Sequence, residues 1–337
     1  MAVKIVTIGG GSGTSVINES LLLAGAKFIK SIVTVMDSGG TTGRMRIDSE
    51  GKEIAYSDAL RTLLSLKDSK ELSQEQNASL VELLRKRNSR GQDLGYFLFS
   101  QFWDCEEKGF GDVQGILEKL TGVKFKGEII PITLRSTNIS FQTKMGRVYK
   151  GEHELDDKRM SADLVWDMWL EPSVPAYWGA IRAITDADIL VFCCGSLYGS
   201  VLCNFLPTGV KKALRQTHAK KVLVTNLAST RNETHEFKPI DFVNIFKKYT
   251  GLTKPIDVLV VPQMTRTEFE KKYPKVAKRY ASEHSFFLGW DEKELSELKR
   301  MGVKVLTHKA TVVEPKFLTL RHDPEKLAKS FKSLLQR

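Results

Sequence analysis

The chain has 337 residues, 42% of them apolar and 27% charged, a balance that excludes collagenous, low-complexity and disordered classes. Its net charge of +11 is uneven: residues 201–337 hold 27 Lys and Arg against 14 Asp and Glu, whereas residues 1–200 are nearly neutral. The strongest apolar runs, Ile189–Cys194 and Val258–Val261, fall far short of the roughly 20 residues of a membrane span, so no span is expected.

Val3 to Ile8 runs straight into β-branched sequence with no basic, apolar and small-residue series of a secretory signal, which points to the cytoplasm. Four cysteines, Cys105, Cys193, Cys194 and Cys203, lack zinc-type spacing and are too few for a disulfide framework. They read as reduced, mostly buried thiols. The basic excess gathers on helix-like stretches such as Lys271, Lys272, Lys275, Lys278 and Arg279, interleaved with Tyr273 and Tyr280. It reads as a solvated helix face, because no nucleic-acid-binding signature accompanies it.

In chain order, residues 3–9 form a strand ending in glycines, about Thr14 to Ala24 a helix, and Ser31 to Asp37 a second strand. Strand, glycine turn, helix and strand make a βαβ unit and imply a parallel sheet. Residues 70–121 form a helical insertion, with Ser73 as a cap and Gly109 to Gly111 as a break between helices. Residues 128–151 turn to alternating β-type sequence: Ile129 to Thr133, then Ser140 to Lys144 and Arg147 to Lys150 around a Met145-Gly146 turn, a hairpin giving an antiparallel edge. Strand and helix then alternate again: Ile189 to Cys194, a helix from Leu197, Lys221 to Asn226, a helix near Ile240 to Lys248, and Ile256 to Val261. Val303 to Thr307 is one more strand and Pro324 to Gln336 a last amphipathic helix. The expected fold is one α/β domain over residues 1–337, doubly wound and Rossmann-like, with a mostly parallel sheet.

Three glycine-rich turns carry the chemistry. Gly9-Gly10-Gly11-Ser12-Gly13-Thr14 lies between strand and helix, where backbone amides and a helix start attract a phosphate. Neither the dinucleotide fingerprint nor the Walker A pattern fits it. The second strand delivers Asp37, followed by Ser38, Gly39, Gly40, Thr41, Thr42, Gly43 and Arg44, to the sheet edge where α/β proteins bind ligands. Asp37 can hold a hydroxyl or a metal there, or simply cap its own turn. Gly195-Ser196-Leu197-Tyr198 repeats the strand-to-helix arrangement; Ser196 suits a cap or a phosphate donor, and Tyr198 either stacks on a base or packs. In Arg321-His322-Asp323-Pro324-Glu325, Asp323, Pro324 and Glu325 fit a helix start, and Arg321 is left as an anion contact.

Taken in order, the blocks Gly9–Thr14, Asp37–Arg46, Gly195–Tyr198 and Arg321–Pro324 resemble those of the gluconeogenesis factor (YvcK-like) family of the CofD-like superfamily, to which 2-phospho-L-lactate transferase also belongs. Weaker echoes include Gly91 to Gly95, Ile130 to Thr133, Asn204, and Asn226 with the downstream Glu233-Thr234. The resemblance implies a CofD-like fold, a crevice for a nucleotide-linked sugar such as UDP-N-acetylglucosamine with Asn226 at its edge, and a regulatory role linking carbon metabolism to cell wall and cell shape. No cofactor is then required, and a homo-oligomer is among the forms it allows. The other activity in the superfamily is phospholactyl transfer from a guanylyl-activated donor, for which Asp37 and Asp58 would hold Mg²⁺ as the catalytic candidates. The chain departs from the family in having Ser38 where a second aspartate is usual and Arg61 where an asparagine is usual.

Overall fold

The computed structural model describes residues 2–38, 54–68, 74–86, 109–314 and 316–336. Seven strands, β1 (Ile5–Gly9), β2 (Ile29–Val33), β3 (Gly127–Pro131), β7 (Ile189–Phe192), β8 (Lys220–Val224), β9 (Val258–Pro262) and β10 (Lys304–His308), form one parallel sheet in the order β10-β9-β8-β7-β1-β2-β3. Every residue of β1, β7 and β9 is buried, as expected for strands covered on both faces. That is why they read as unbroken apolar runs.

The chain lays down β1, β2 and β3 in one direction and returns at β7 on the other side of β1. The order therefore reverses between β1 and β7, which pair from Ile5↔Ile189 to Ile8↔Phe192. Such a reversal leaves a crevice beyond the carboxyl ends of the two strands.

Helix α1 (Gly11–Leu23) packs on the helix Ser57–Ser65 and on the last helix, Pro324–Leu335. A buried polar cluster sets its position: the Thr7 hydroxyl lies 2.8 Å from Asn18 Oδ1 and 2.7 Å from Ser31 Oγ, and Asn18 Nδ2 reaches Ser31 and Ser65, each at 3.2 Å. Buried polar atoms are tolerated when bonded in this way, and here the bonds tie β1, α1, β2 and the following helix together. The last helix starts as expected, with Asp323 accepting from the Lys326 amide at 3.1 Å and Pro324 at its first position; Leu327, Ala328, Phe331 and Leu334 are buried beneath it.

Several boundaries differ from the sequence expectation. Helix α1 begins at Gly11, so Ser12, Gly13 and Thr14 are its first turn. Strand β2 ends at Val33, leaving Asp37 four residues beyond it. The hairpin β4 (Asn138–Thr143) and β5 (Val148–Lys150) forms, but the antiparallel strands make a separate sheet, β5-β4-β6, with β6 (Val165–Glu171). Residues 129–131 instead join the parallel sheet in β3. A small hairpin of β11 (Thr311–Glu314) and β12 (Thr319–His322) completes the strands. Helices Gln74–Arg85 and Gly109–Thr121 fall in the expected insertion; Gly109 and Gly111 open the second rather than precede it, and Ser73 lies outside the described residues. No helix among the described residues is long and apolar enough to cross a membrane.

Candidate functional site

The first glycine turn closes over the end of β1. Backbone approach decides its composition: a Cβ on Gly13 would lie 1.9 Å from the Cys194 carbonyl oxygen, on the strand-end segment of β7. Gly11 has φ +64, a conformation that L side chains resist. No side chain caps α1 at Gly10. The turn is held from within, by Thr14 Oγ1 donating to the Gly10 carbonyl at 3.0 Å, and the Gly11 amide donates to the Asp58 carboxylate. Asp58 comes from the helix Ser57–Ser65.

The Gly195 turn sits beside it and is built differently. Gly195 donates its amide to Asn226 Oδ1 at 2.7 Å, and Asn226 Nδ2 donates back to the Gly195 carbonyl at 2.6 Å. Ser196 accepts from the Gly199 amide at 3.0 Å, and Glu233 takes the Ser196 hydroxyl and the Leu197 amide, each at 2.7 Å. The expected helix at Leu197 is a π-helical turn, Leu197–Val201, followed by a short 3₁₀ turn, Leu202–Phe205. Three of this turn's amides are therefore bonded to protein side chains, which corrects the expectation of an open phosphate-binding turn here. Tyr198 is corrected too: its ring is buried against Tyr249, centroids 6.0 Å apart, and its hydroxyl donates to the Val165 carbonyl at 3.3 Å. Leu197 is likewise core. The packing alternative holds for both.

Carboxylates dominate the crevice. Burial, then the charge of Asp37, raises Asp58 to about 6, against the opposing pull of Arg61 and the Gly11 amide. Glu152 rises to about 8, first through burial and then through Asp37, Asp156 and Asp58, although the Ser38 amide donates to it. Burial raises Glu233 to about 7 despite its hydrogen bonds. These groups thus hold protons near neutral pH more readily than free carboxylates do. Ser38 is tied to the segment carrying Glu152: its Oγ accepts from the His153 amide at 3.1 Å and lies 3.0 Å from His153 Nδ1.

For the Mg²⁺ that the superfamily's transfer chemistry would use, the candidate holders are Asp37 and Asp58. Among the described residues no group of three or more His, Cys, Asp or Glu side chains is arranged to hold a metal ion. Asp58 faces the Arg61 guanidinium at 3.9 Å and takes the Gly11 amide, and the residue after Asp37 is a serine bonded to His153.

Two cavities open beside the turns. One, about 220 Å³, is lined by Ser12, Gly13, Cys194, Asn226, Arg321 and His322 among others. The second, about 250 Å³, is lined mainly by polar groups, including Asp156, Arg159, Ser196, Thr230, Glu233 and Glu283. Asn226, Ala228 and Tyr280 line both. The structure so brings together the first turn, Gly195, Ser196, Asn226 and Arg321, with Asp37 and Asp58 behind them; Gly39, Gly40, Thr41, Thr42, Gly43 and Arg44 lie outside the described residues. Arg321, exposed, is 3.7 Å from Glu314. Cys193, Cys194 and Cys203 are free and buried, and Cys105 is outside the described residues.

The sequence reading missed Glu152, and it noted Arg61 only as a departure and Glu233 only as a faint echo. No local signal marks Glu152; its partners Asp37 and Asp58 lie about a hundred residues away along the chain. The basic stretch is unremarkable: Lys271, Lys272, Lys275 and Lys278 are exposed, while Tyr273 and Tyr280 pack against the small core of Leu227, Phe269, Val276 and Phe287.

Comparison with known proteins agrees with this architecture. The family model of 2-phospho-L-lactate transferase CofD matches residues 5–311. A putative gluconeogenesis factor of Aquifex aeolicus is 30% identical, over 99% of this chain and 97% of the relative. The gluconeogenesis factor of Bacillus subtilis is 28% identical, over 99% and 98%. The crystal structure of a Bacillus halodurans protein shares the fold with a TM-score of 0.81 at 24% identity, over 98% of this chain and 99% of that one. With a family match over nearly the whole parallel sheet and full-length likeness to gluconeogenesis factors, this chain belongs to the CofD family as a YvcK-like member.

Proposed function

We propose that the protein binds a nucleotide-linked sugar, with UDP-N-acetylglucosamine as the leading candidate, and acts as a cytoplasmic regulator that couples carbon metabolism to wall synthesis and cell shape. The observation that carries the reading is the uncapped glycine turn at the strand-order reversal, opening beside two cavities that share Asn226 and Tyr280. A bare helix start suits a diphosphate. The flanking polar cavity suits a hydroxyl-rich group, whose donors and acceptors meet Asp156, Arg159 and Thr230. The relatives named gluconeogenesis factors support the regulatory part.

Calorimetric titration with UDP-N-acetylglucosamine, GDP and NAD, with and without Mg²⁺ at fixed salt, tests it. Preferential binding of the UDP-sugar without a metal requirement is the expected result. Preference for GDP with Mg²⁺ would replace it with the transferase activity printed in the family's name.

A further inference from the structure

We infer that Arg61 supplies, from within the chain, the positive charge that offsets a ligand's diphosphate at the first glycine turn, where a divalent cation would otherwise be needed. The inference rests on the nucleotide-sugar reading and deepens it. An anion at this turn meets an acidic crevice, since the charge of Asp37 reaches both Asp58 and Glu152 and raises their proton affinity. A cation facing it offsets that charge, and among the described residues no three or more His, Cys, Asp or Glu side chains gather to hold a metal ion.

Arg61 is the cation in position. The point that a Cβ on Gly11 would occupy is open: the nearest atoms are Arg61 Nη1 and Ser200 Oγ, each 4.0 Å away. A guanidinium and a hydroxyl thus border the space above the turn, and both can donate hydrogen bonds. Arg61 is anchored through its backbone, whose carbonyl accepts the Ser15 hydroxyl at 3.2 Å, so it moves with helix α1. Its side chain stays 44% exposed, and Nη1 lies 3.9 Å from Asp58 Oδ1, within electrostatic reach but beyond a hydrogen bond. The guanidinium therefore keeps donors for an oxyanion while Asp58 restrains it. Planar, permanently charged guanidinium suits phosphate oxygens better than a point charge does.

Isothermal titration of inorganic pyrophosphate and of UDP-N-acetylglucosamine into the wild-type protein, Arg61→Gln, Arg61→Lys and Ser200→Ala, each in EDTA and in Mg²⁺, provides the test. Wild-type affinity is expected to be the same in EDTA and in Mg²⁺. Arg61→Gln should weaken both ligands by about tenfold or more, the scale of one lost charged hydrogen bond, and Arg61→Lys by less. Ser200→Ala should weaken them by about threefold. Thermal melts of the same samples confirm that each variant is folded. Equal binding by wild type and Arg61→Gln, or loss of wild-type binding in EDTA, overturns the inference. If the wild-type protein binds UDP-N-acetylglucosamine and Arg61→Gln does so equally, the inference fails while the nucleotide-sugar reading stands. Arg61-dependent binding of pyrophosphate with no response to any nucleotide would leave the inference standing and remove that reading. Silence toward both ligands in the wild type removes both.

Discussion

The two glycine turns at the ends of β1 and β7 are neighbours in space and both join a buried strand to a helical turn, yet they are finished in opposite ways. The Gly195 turn is closed by the protein: Asn226 clamps Gly195 through two hydrogen bonds, and Glu233 takes the Ser196 hydroxyl and the Leu197 amide. The Gly9–Thr14 turn has no capping side chain at its helix start, and among the described residues Asp58 reaches its Gly11 amide. A helix start with no capping side chain leaves amides for an outside anion. The contrast teaches that a glycine-rich strand-to-helix turn marks close backbone approach, and that the residues arriving from elsewhere decide whether it is a ligand site or a structural joint.

The largest expected effect is on the contact between the turns. Gly13→Ala would press a methyl group into the Cys194 carbonyl, backbone against backbone, where no side chain can give way. A loss of about 3 kcal/mol or more is expected, enough to lower the melting temperature sharply in thermal denaturation. Unchanged melting would mean that the two turns are not packed as described.

Next, Glu233→Ala should destabilise the protein by about 2 kcal/mol in urea unfolding, because it strands the buried Leu197 amide and the Ser196 hydroxyl. Glu233→Gln, which keeps one acceptor, should cost less. If the closed turn is instead a ligand site, Glu233→Ala would alter binding with little change in stability.

The third effect is a pH slope. Burial, then the charges of Asp37, Asp156 and Asp58, pushes Glu152 up to about 8 from an ordinary value of 4.5, so the folded state binds the proton more tightly. Its contribution is fully present below pH 4.5 and is lost as pH rises toward and through 8. Wild-type stability should thus carry a component that falls as pH rises from about 5 toward 8. Glu152→Gln should flatten that component in melts across the range; an unaltered slope would show that Glu152 is more hydrated than its burial implies. The histidines act oppositely: burial lowers His308 to about 4 and His322 to about 3, so their contribution is lost as pH falls below 6.5.

The smallest effect on stability should come from Gly11→Val. A β-branched residue at φ +64 costs about 1–2 kcal/mol, but the branch fills the space between Arg61 and Ser200. UDP-N-acetylglucosamine binding should fall by about tenfold or more in calorimetry, whereas an unchanged affinity would move the anion site away from the open turn.

Much of this molecule was legible residue by residue. The unbroken apolar runs of β1, β7 and β9 announce strands buried on both faces, and Asp323-Pro324 announces the last helix, because local propensity, capping and hydrophobic pattern act over a few neighbouring positions. Strand β6 was not legible: its alternation of Trp166, Asp167 and Trp169 with buried neighbours is strand-like, but which sheet it joins depends on its pairing with β4. The resemblance in the glycine blocks located the crevice without distinguishing its two turns.

The sequence alone thus determined the parallel sheet, its glycine turns and the family to which they belong, since each of these depends on short-range pattern. Only the tertiary structure decided which turn is closed and which is open. Asn226 and Glu233 reach Gly195 and Ser196 across 31 and 37 residues, and the Gly11 turn gains Asp58 and Arg61 from a helix that begins at Ser57. Burial by distant segments sets the proton affinities of Asp58, Glu152 and Glu233, and desolvation is a property of the packed chain that no stretch of sequence carries by itself.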